Sequence, residues 1–299
     1  MPRLIILVTG AGPGIGTQAV HALAEAGHTV YATMRDTTGR NAGRAQELRS
    51  YATASDVDIR ILELHVSSQE SADTAVRSAL AEQDHLDAVV HNAAHLGIGV
   101  NEAFTDEQVA AIGPHRLNRA VLPHMRAREQ GLLLYVGSTT SRMIYPFQGP
   151  YEASKAAMDS LAEVTRYEVA RYGIDVTVVT PGAVTTGTAH FSEGTRPADG
   201  SVADAYGRIA GVEQQIMDRL VELSPPDADP RAVVTRLPAS SHSHPASGRS
   251  GPPSTSSTTA PNRSTKPHNS SRPPSWNASA LLTCSTPRSP SQTASQPAT

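Results

Sequence analysis

Residues 4–16, Leu4-Ile5-Ile6-Leu7-Val8-Thr9-Gly10-Ala11-Gly12-Pro13-Gly14-Ile15-Gly16, run from an apolar stretch into a glycine-rich turn. Thr17–Ala26 follows, Ala-rich and with helical spacing. A strand, a glycine turn and a helix N-terminus in that order make an anion site. Glycines let the backbone approach a pyrophosphate, and the free N–H groups and dipole of the helix favour negative charge. A glycine-rich turn alone says little, and its position at the start of a strand–helix–strand unit is what gives it weight.

The same pattern recurs downstream. Short apolar or β-branched runs lie at Leu4–Thr9, Thr29–Thr33, Asp58–Leu64, Leu86–Val90, Leu132–Val136 and Ile174–Thr180. Ala-rich stretches of helical spacing, such as Thr17–Ala26 and Ala153–Tyr172, separate them. Near-continuous apolar strands alternating with helices predict a parallel sheet covered on both faces. The expected fold class is α/β, a doubly wound Rossmann-type sheet with right-handed crossovers.

Composition divides the chain in two. The 299 residues carry a net charge of −3, with 38% apolar and 18% charged residues, both low for a globular chain. All 28 acidic residues lie at or before Asp229, giving that part −10 against +7 for the rest. From about Leu237 the chain is Ser/Thr/Pro-rich with no period, and is expected to be disordered. The single cysteine, Cys284, excludes an internal disulfide. No apolar run is long enough to span a membrane, and the apolar stretch before the turn is too short to be expected to act as a signal peptide. The expectation is a cytoplasmic protein without a membrane or nucleic-acid partner and without a metal.

Tyr151-Glu152-Ala153-Ser154-Lys155 is the sharpest feature. Residues four apart share a helical face. A tyrosine titrates near pH 10, too high for proton transfer at neutral pH, and a fixed ammonium nearby favours the phenolate. The chain uses arginine almost throughout, and its only lysines are Lys155 and Lys266. Ser138 ends the fifth apolar run, thirteen residues before Tyr151.

The T-G-x-x-x-G-x-G spacing at Thr9–Gly16, with Ser138, Tyr151 and Lys155, resembles the short-chain dehydrogenase/reductase family over roughly residues 3–230. The Tyr31–Asp36 run is similar to the hydroxysteroid and retinol dehydrogenase branch. The resemblance implies NADP(H)-dependent interconversion of an apolar alcohol and its ketone or aldehyde. It implies that Gly10, Gly14, Ile15 and Gly16 line the cofactor turn, with Asn92, Pro181, Gly182 and Thr185 also on the cofactor. Ser138 would bond the substrate oxygen and Tyr151 would exchange the proton. Lys155 would hold the nicotinamide ribose and lower the Tyr151 pKa.

Met34 stands where NAD-preferring relatives place an acid for the ribose 2′-hydroxyl. Arg35 follows it and suits a 2′-phosphate. NADP is therefore expected, with NAD as the alternative if Asp36 discriminates.

The family pattern also fails in places. His65-Val66 replaces an acidic residue, His91 an asparagine, and Ala94 a glycine. Ala110 stands three residues before Gly113, where the family has a relay asparagine. Ala103–Leu122 is about six residues short, Pro114 is expected to interrupt its helix, and a family-type homo-oligomer is expected to be weakened. These departures keep a non-catalytic nucleotide-binding protein, or a decayed gene product, as the alternative. The expected domain is 1–230, with 231–299 as a tail. A basic tail for an anionic partner would need charge clusters, and there are none, so a frameshift near 232–237 is the favoured reading. The last strand would then be lost and the sixth left as an open edge.

Overall fold

A computed structural model describes residues 2–223, except 13, 106–107, 109–112 and 183–193, together with 258–259. By internal contacts the chain divides into Met1–Ala260 and Pro261–Thr299, and every described residue belongs to the first unit.

Among the described residues seven parallel strands are β1 Ile5–Thr9, β2 Thr29–Met34, β3 Ile59–Glu63, β4 Ala88–His91, β5 Gly131–Val136, β6 Ile174–Thr180 and β7 Thr258–Thr259. Their order is β3-β2-β1-β4-β5-β6-β7. The chain winds outward from β1 to β3, then returns to place β4 on the other side of β1. The crevice at the carboxyl ends of β1 and β4 is therefore the switch point at which such sheets bind ligands. The doubly wound α/β fold is as the sequence indicates.

Successive side chains on one strand point to opposite faces, and each face carries its own core. Ile6, Val8, Val30, Ala32, Val90 and Leu134 pack against Ala19, Val20 and Leu23 of α1 (Ile15–Glu25) and Ala45 and Leu48 of α2 (Ala42–Ser55). Leu7, Tyr31, Val89, Leu133 and Tyr135 face α3 (Gln69–Gln83), α4 (Gly113–Arg128) and α5 (Gly149–Val169). Two shorter helices follow, α6 (Gly200–Ala205) and α7 (Val212–Glu222).

Several boundaries differ from expectation for local reasons. The fourth strand starts at Ala88, and just before it the Asp87 backbone already donates to the Ile5 carbonyl and accepts the Leu132 amide, each at 2.9 Å, while its carboxylate takes the Ile5 amide at 2.8 Å and Arg128 at 3.2 Å. The fifth helix begins at Gly149, so Pro150 and Tyr151 fall in its first turn. Pro114 does not interrupt α4. It is the second described residue of that helix, residues 109–112 before it lie outside the described residues, and the proline inside the helix is Pro123. The sixth strand is not left wholly without a neighbour. Val179 and Thr180 pair with Thr258 and Thr259, β-branched residues suited to extended backbone. The rest of the stretch read as a disordered tail lies outside the described residues.

Candidate active site

The turn after β1 is shaped by contacts that leave no room for a side chain. Gly10 has φ +66°, and a Cβ there would come 2.7 Å from the Ala93 Cα. A Cβ on Gly16 would lie 2.0 Å from the Gly10 carbonyl oxygen. Asn92 braces this turn from β4, donating from Nδ2 to the carbonyls of Thr9 and Gly10, each at 3.0 Å. Thr9 answers by accepting the Asn92 and Ala93 amides at its hydroxyl, each at 3.0 Å. Ala94, next along, does not take a positive φ, so its extra methyl meets no backbone conflict.

A cavity of about 660 Å³ opens over this crevice. It is lined by Gly10, Ile15, Gly16, Arg35, Asn92, Ser138, Tyr151, Lys155, Pro181 and Gly182, which the topology brings together from the ends of β1, β2, β4, β5 and β6 and from the first turns of α1 and α5. Gly14 shapes the turn ahead of α1, with φ 93°, but does not line the cavity. Thr185 and Ala110 lie outside the described residues. Gly12, Arg40 and Arg44 line it too and were not singled out in the sequence. Arg40 and Arg44 are four apart around the start of α2, a spacing that could have flagged them.

At one end of the cavity Arg35, Arg40 and Arg44 supply three guanidinium groups. Asp36 faces its own loop instead. Its backbone has φ 50°, and its carboxylate accepts the Arg40 amide at 2.7 Å. At the other end Ser138, buried at the end of β5, has its Oγ 2.9 Å from Thr140 Oγ1 and hydrogen-bonds Tyr151. Lys155 is buried, donates to the Val136 carbonyl at 2.7 Å, and lies 5.8 Å from the centre of the Tyr151 ring.

The electrostatics depart from expectation. Lys155 was expected to lower the Tyr151 pKa. Instead burial pushes the Tyr151 hydroxyl above its usual value, the neighbouring Glu152 charge adds to this, and the Ser138 hydrogen bond opposes it. Burial also lowers Lys155, to about 8, against the pull of Asp159. The ammonium donates to the Val136 carbonyl.

Asn118, on α4 beyond the Ala110 position, is committed elsewhere. It is buried on α4, accepts from His91 at 2.9 Å and donates to Tyr135 at 2.6 Å, away from the cavity.

The family model for the short chain dehydrogenases matches residues 4–196. The chain belongs to that family. It is 34% identical over 194 residues to a 3-ketodihydrosphingosine reductase of Bacteroides thetaiotaomicron, covering 62% of this chain and 66% of the relative. It is 31% identical over 195 residues to human 17-beta-hydroxysteroid dehydrogenase type 1, covering 62% and 58%. An actinorhodin polyketide ketoreductase solved with NADPH matches 78% of this chain and 88% of its own, with a TM-score of 0.62 and 26% identity. This chain spans about three-fifths to two-thirds of the length of these curated relatives. The residues present fit a dinucleotide, because Gly10 and Gly16 clear a cradle that a Cβ at either would fill. Among the described residues no helix is long and apolar enough to cross a membrane.

Proposed function

We propose that the chain is an NADP(H)-dependent oxidoreductase that interconverts an apolar alcohol and its ketone or aldehyde. The observation that carries this reading is one cavity bounded by the glycine turn, the three arginines and the Ser138–Tyr151–Lys155 group.

Gly10, Gly12, Ile15 and Gly16 would hold the pyrophosphate, and the α1 N-terminus favours its charge. Arg35, Arg40 and Arg44 suit a 2′-phosphate, while Asp36, turned into its own loop, is poorly placed to select a 2′-hydroxyl. Lys155 would hold the nicotinamide ribose, with Asn92, Pro181, Gly182 and Thr185 near the ring. The bound nicotinamide supplies or takes the hydride. Ser138 donates to the substrate oxygen, and Tyr151 gives that oxygen its proton in reduction and takes it in oxidation.

An apolar substrate is supported by Leu96 and Leu220, which line the cavity together with Tyr151. Leu96, Ile98 and Met217 form a small cluster against which Tyr151 and Leu220 pack. The names of two relatives, a ketodihydrosphingosine reductase and a hydroxysteroid dehydrogenase, point the same way. The second reading is a nucleotide-binding protein without turnover. The sequence position of the relay asparagine holds Ala110, and Asn118 is taken by His91 and Tyr135.

The test is to titrate NADPH and NADH by fluorescence and then assay a panel of ketones with apolar substituents. Tighter NADPH binding and ketone-dependent oxidation of NADPH are expected. Binding without turnover would establish the second reading, and tighter NADH binding would overturn the cofactor assignment.

A further inference from the structure

Asp159 is a part-buried carboxylate that the proposed reaction does not use. It lies one helical turn beyond Lys155 on α5, so the two side chains share a face. Both heads converge on the same piece of β5. Lys155 Nζ is 2.7 Å from the Val136 carbonyl oxygen. Asp159 Oδ1 is 3.3 Å from the place a Cβ on Gly137 would take. That oxygen is buried and has no hydrogen-bond partner among the described residues. The other, Oδ2, lies 2.7 Å from the Ser141 hydroxyl, which is also 2.9 Å from the Ser138 carbonyl. With one proton, Ser141 donates preferentially to the charged acceptor. Asp159 is therefore tied through Ser141 to the segment that carries Ser138 and stands one helical turn from Lys155.

We propose that Asp159 is a positioning residue of the reaction site: its carboxylate, held by Ser141, is the counter-charge that keeps the buried Lys155 ammonium charged and directed at the cofactor cavity. This rests on the reading of Lys155 given above.

The need for a counter-charge is physical. An ammonium buried without an opposite charge gives up its proton rather than bear the loss of solvation. The hydrogen-bond acceptor at Lys155 is a neutral carbonyl, and the Tyr151 ring on its own helix is neutral as well. The ends of β4 (Asn92–Ala94) and β6 (Pro181–Gly182) bring no charge to it. Burial lowers Lys155 to about 8, and Asp159 is the charge that opposes the fall. Without it the lysine would lose its charge within the working pH range.

The lysine count makes this measurable without turnover. Lys155 and Lys266 are the only lysines, so labelling of each amine by acetic anhydride across pH can be followed by mass spectrometry. Only the neutral amine reacts, and the Lys155 midpoint reads its protonation. The full-length chain would be compared with Asp159→Asn, Asp159→Glu and Asp159→Leu, the last leaving no polar group to satisfy.

Loss of the charge is expected to lower the Lys155 midpoint by about one pH unit or more, in both Asp159→Asn and Asp159→Leu. Asp159→Glu should restore most of it, and Lys266 should not change. The alkaline limb of kcat/KM should move by the same shift wherever turnover is found. An unchanged Lys155 midpoint in folded variants, judged by circular dichroism, would overturn the proposal. So would loss of folding in both neutral variants, because Asp159 would then serve the fold and not Lys155. Absence of turnover in the unsubstituted chain would count against the oxidoreductase reading and leave the labelling result standing.

Discussion

His91 Nε2 lies 2.9 Å from Asn118 Oδ1, and both residues are sealed in the core beneath the cofactor crevice. Asn118 Nδ2 donates to the Tyr135 hydroxyl at 2.6 Å, which fixes its oxygen toward His91. His91 therefore carries its proton on Nε2. Its ring also stacks on Tyr135, with centroids 4.5 Å apart. This polar group joins β4, β5 and α4 in the layer directly below Asn92.

Burial lowers the His91 pKa from 6.5 to about 4, against the Asn118 hydrogen bond. Between those values the unfolded chain binds a proton that the folded chain refuses, so stability falls as pH falls through that window. The full effect is ~3 kcal/mol. Denaturant unfolding at pH 7 and pH 4.5 is expected to show most of this loss in the unsubstituted chain. His91→Gln should flatten that part of the profile, and an equal pH dependence in both proteins would refute the assignment.

Asn118→Leu should destabilise the fold by about 1–3 kcal/mol, because it leaves the His91 donor buried without an acceptor. Its effect on NADPH affinity should be slight, since Asn118 does not line the cavity. If Asn118 instead served the proton relay, turnover would fall with stability unchanged. Thermal unfolding and a fluorescence titration of the same sample separate the two outcomes.

The centre of the sheet was legible because β1, β2 and β4 are buried along their whole length, while β3 and β6, partly exposed and carrying Arg60 and Asp175, were legible from their β-branched residues and their place between helices. The glycine turn was legible because Gly10 and Gly16 answer to a local steric demand. The network around Asn118 was not, because its partners His91 and Tyr135 lie 27 and 17 residues away in sequence and only the packing of α4 on the sheet joins them. The sign of the Tyr151 shift was hidden for a similar reason. Spacing supplies Tyr151 and Lys155 on one face, but burial and the adjacent Glu152 charge decide the direction. Asp36 shows the same limit, since only the folded loop reveals that its carboxylate is turned onto the Arg40 amide.

Gly16→Ala tests the cradle directly. The added carbon would lie 2.0 Å from the Gly10 carbonyl and 2.7 Å from Asn92 Nδ2. Relief requires moving the turn that faces the pyrophosphate. NADPH affinity is expected to fall at least about a hundredfold, a loss on the scale of two to three hydrogen bonds. Undiminished NADPH binding by this variant would exclude the turn as the cofactor site.

Arg35→Asp should reverse the cofactor preference. It removes a guanidinium from the cluster with Arg40 and Arg44 and supplies a carboxylate suited to a ribose hydroxyl. NADPH affinity should fall by about tenfold or more while NADH affinity rises. Parallel titrations read the ratio, and a variant that weakens both cofactors equally would show that Arg35 does not discriminate.

Tyr151 offers the last test, because its environment gives a direction to the pH dependence. Burial and the Glu152 charge hold the phenol protonated beyond its usual range. Reduction needs the phenol as acid, so Tyr151 itself imposes no loss on reduction as pH rises through neutrality. The decline comes from Lys155, whose charge is lost around pH 8. Oxidation needs the phenolate and should gain with pH until the same loss of Lys155 charge weakens ribose binding. Rate–pH profiles in the two directions should therefore differ on their rising limbs and share an alkaline limit near pH 8. Tyr151→Phe should lower ketone reduction by about 10²–10⁴-fold and leave NADPH affinity within about twofold, since the hydroxyl's hydrogen bond is to Ser138 and phenylalanine keeps the ring. Retained reduction in this variant would remove Tyr151 as the proton donor, whatever the cofactor result.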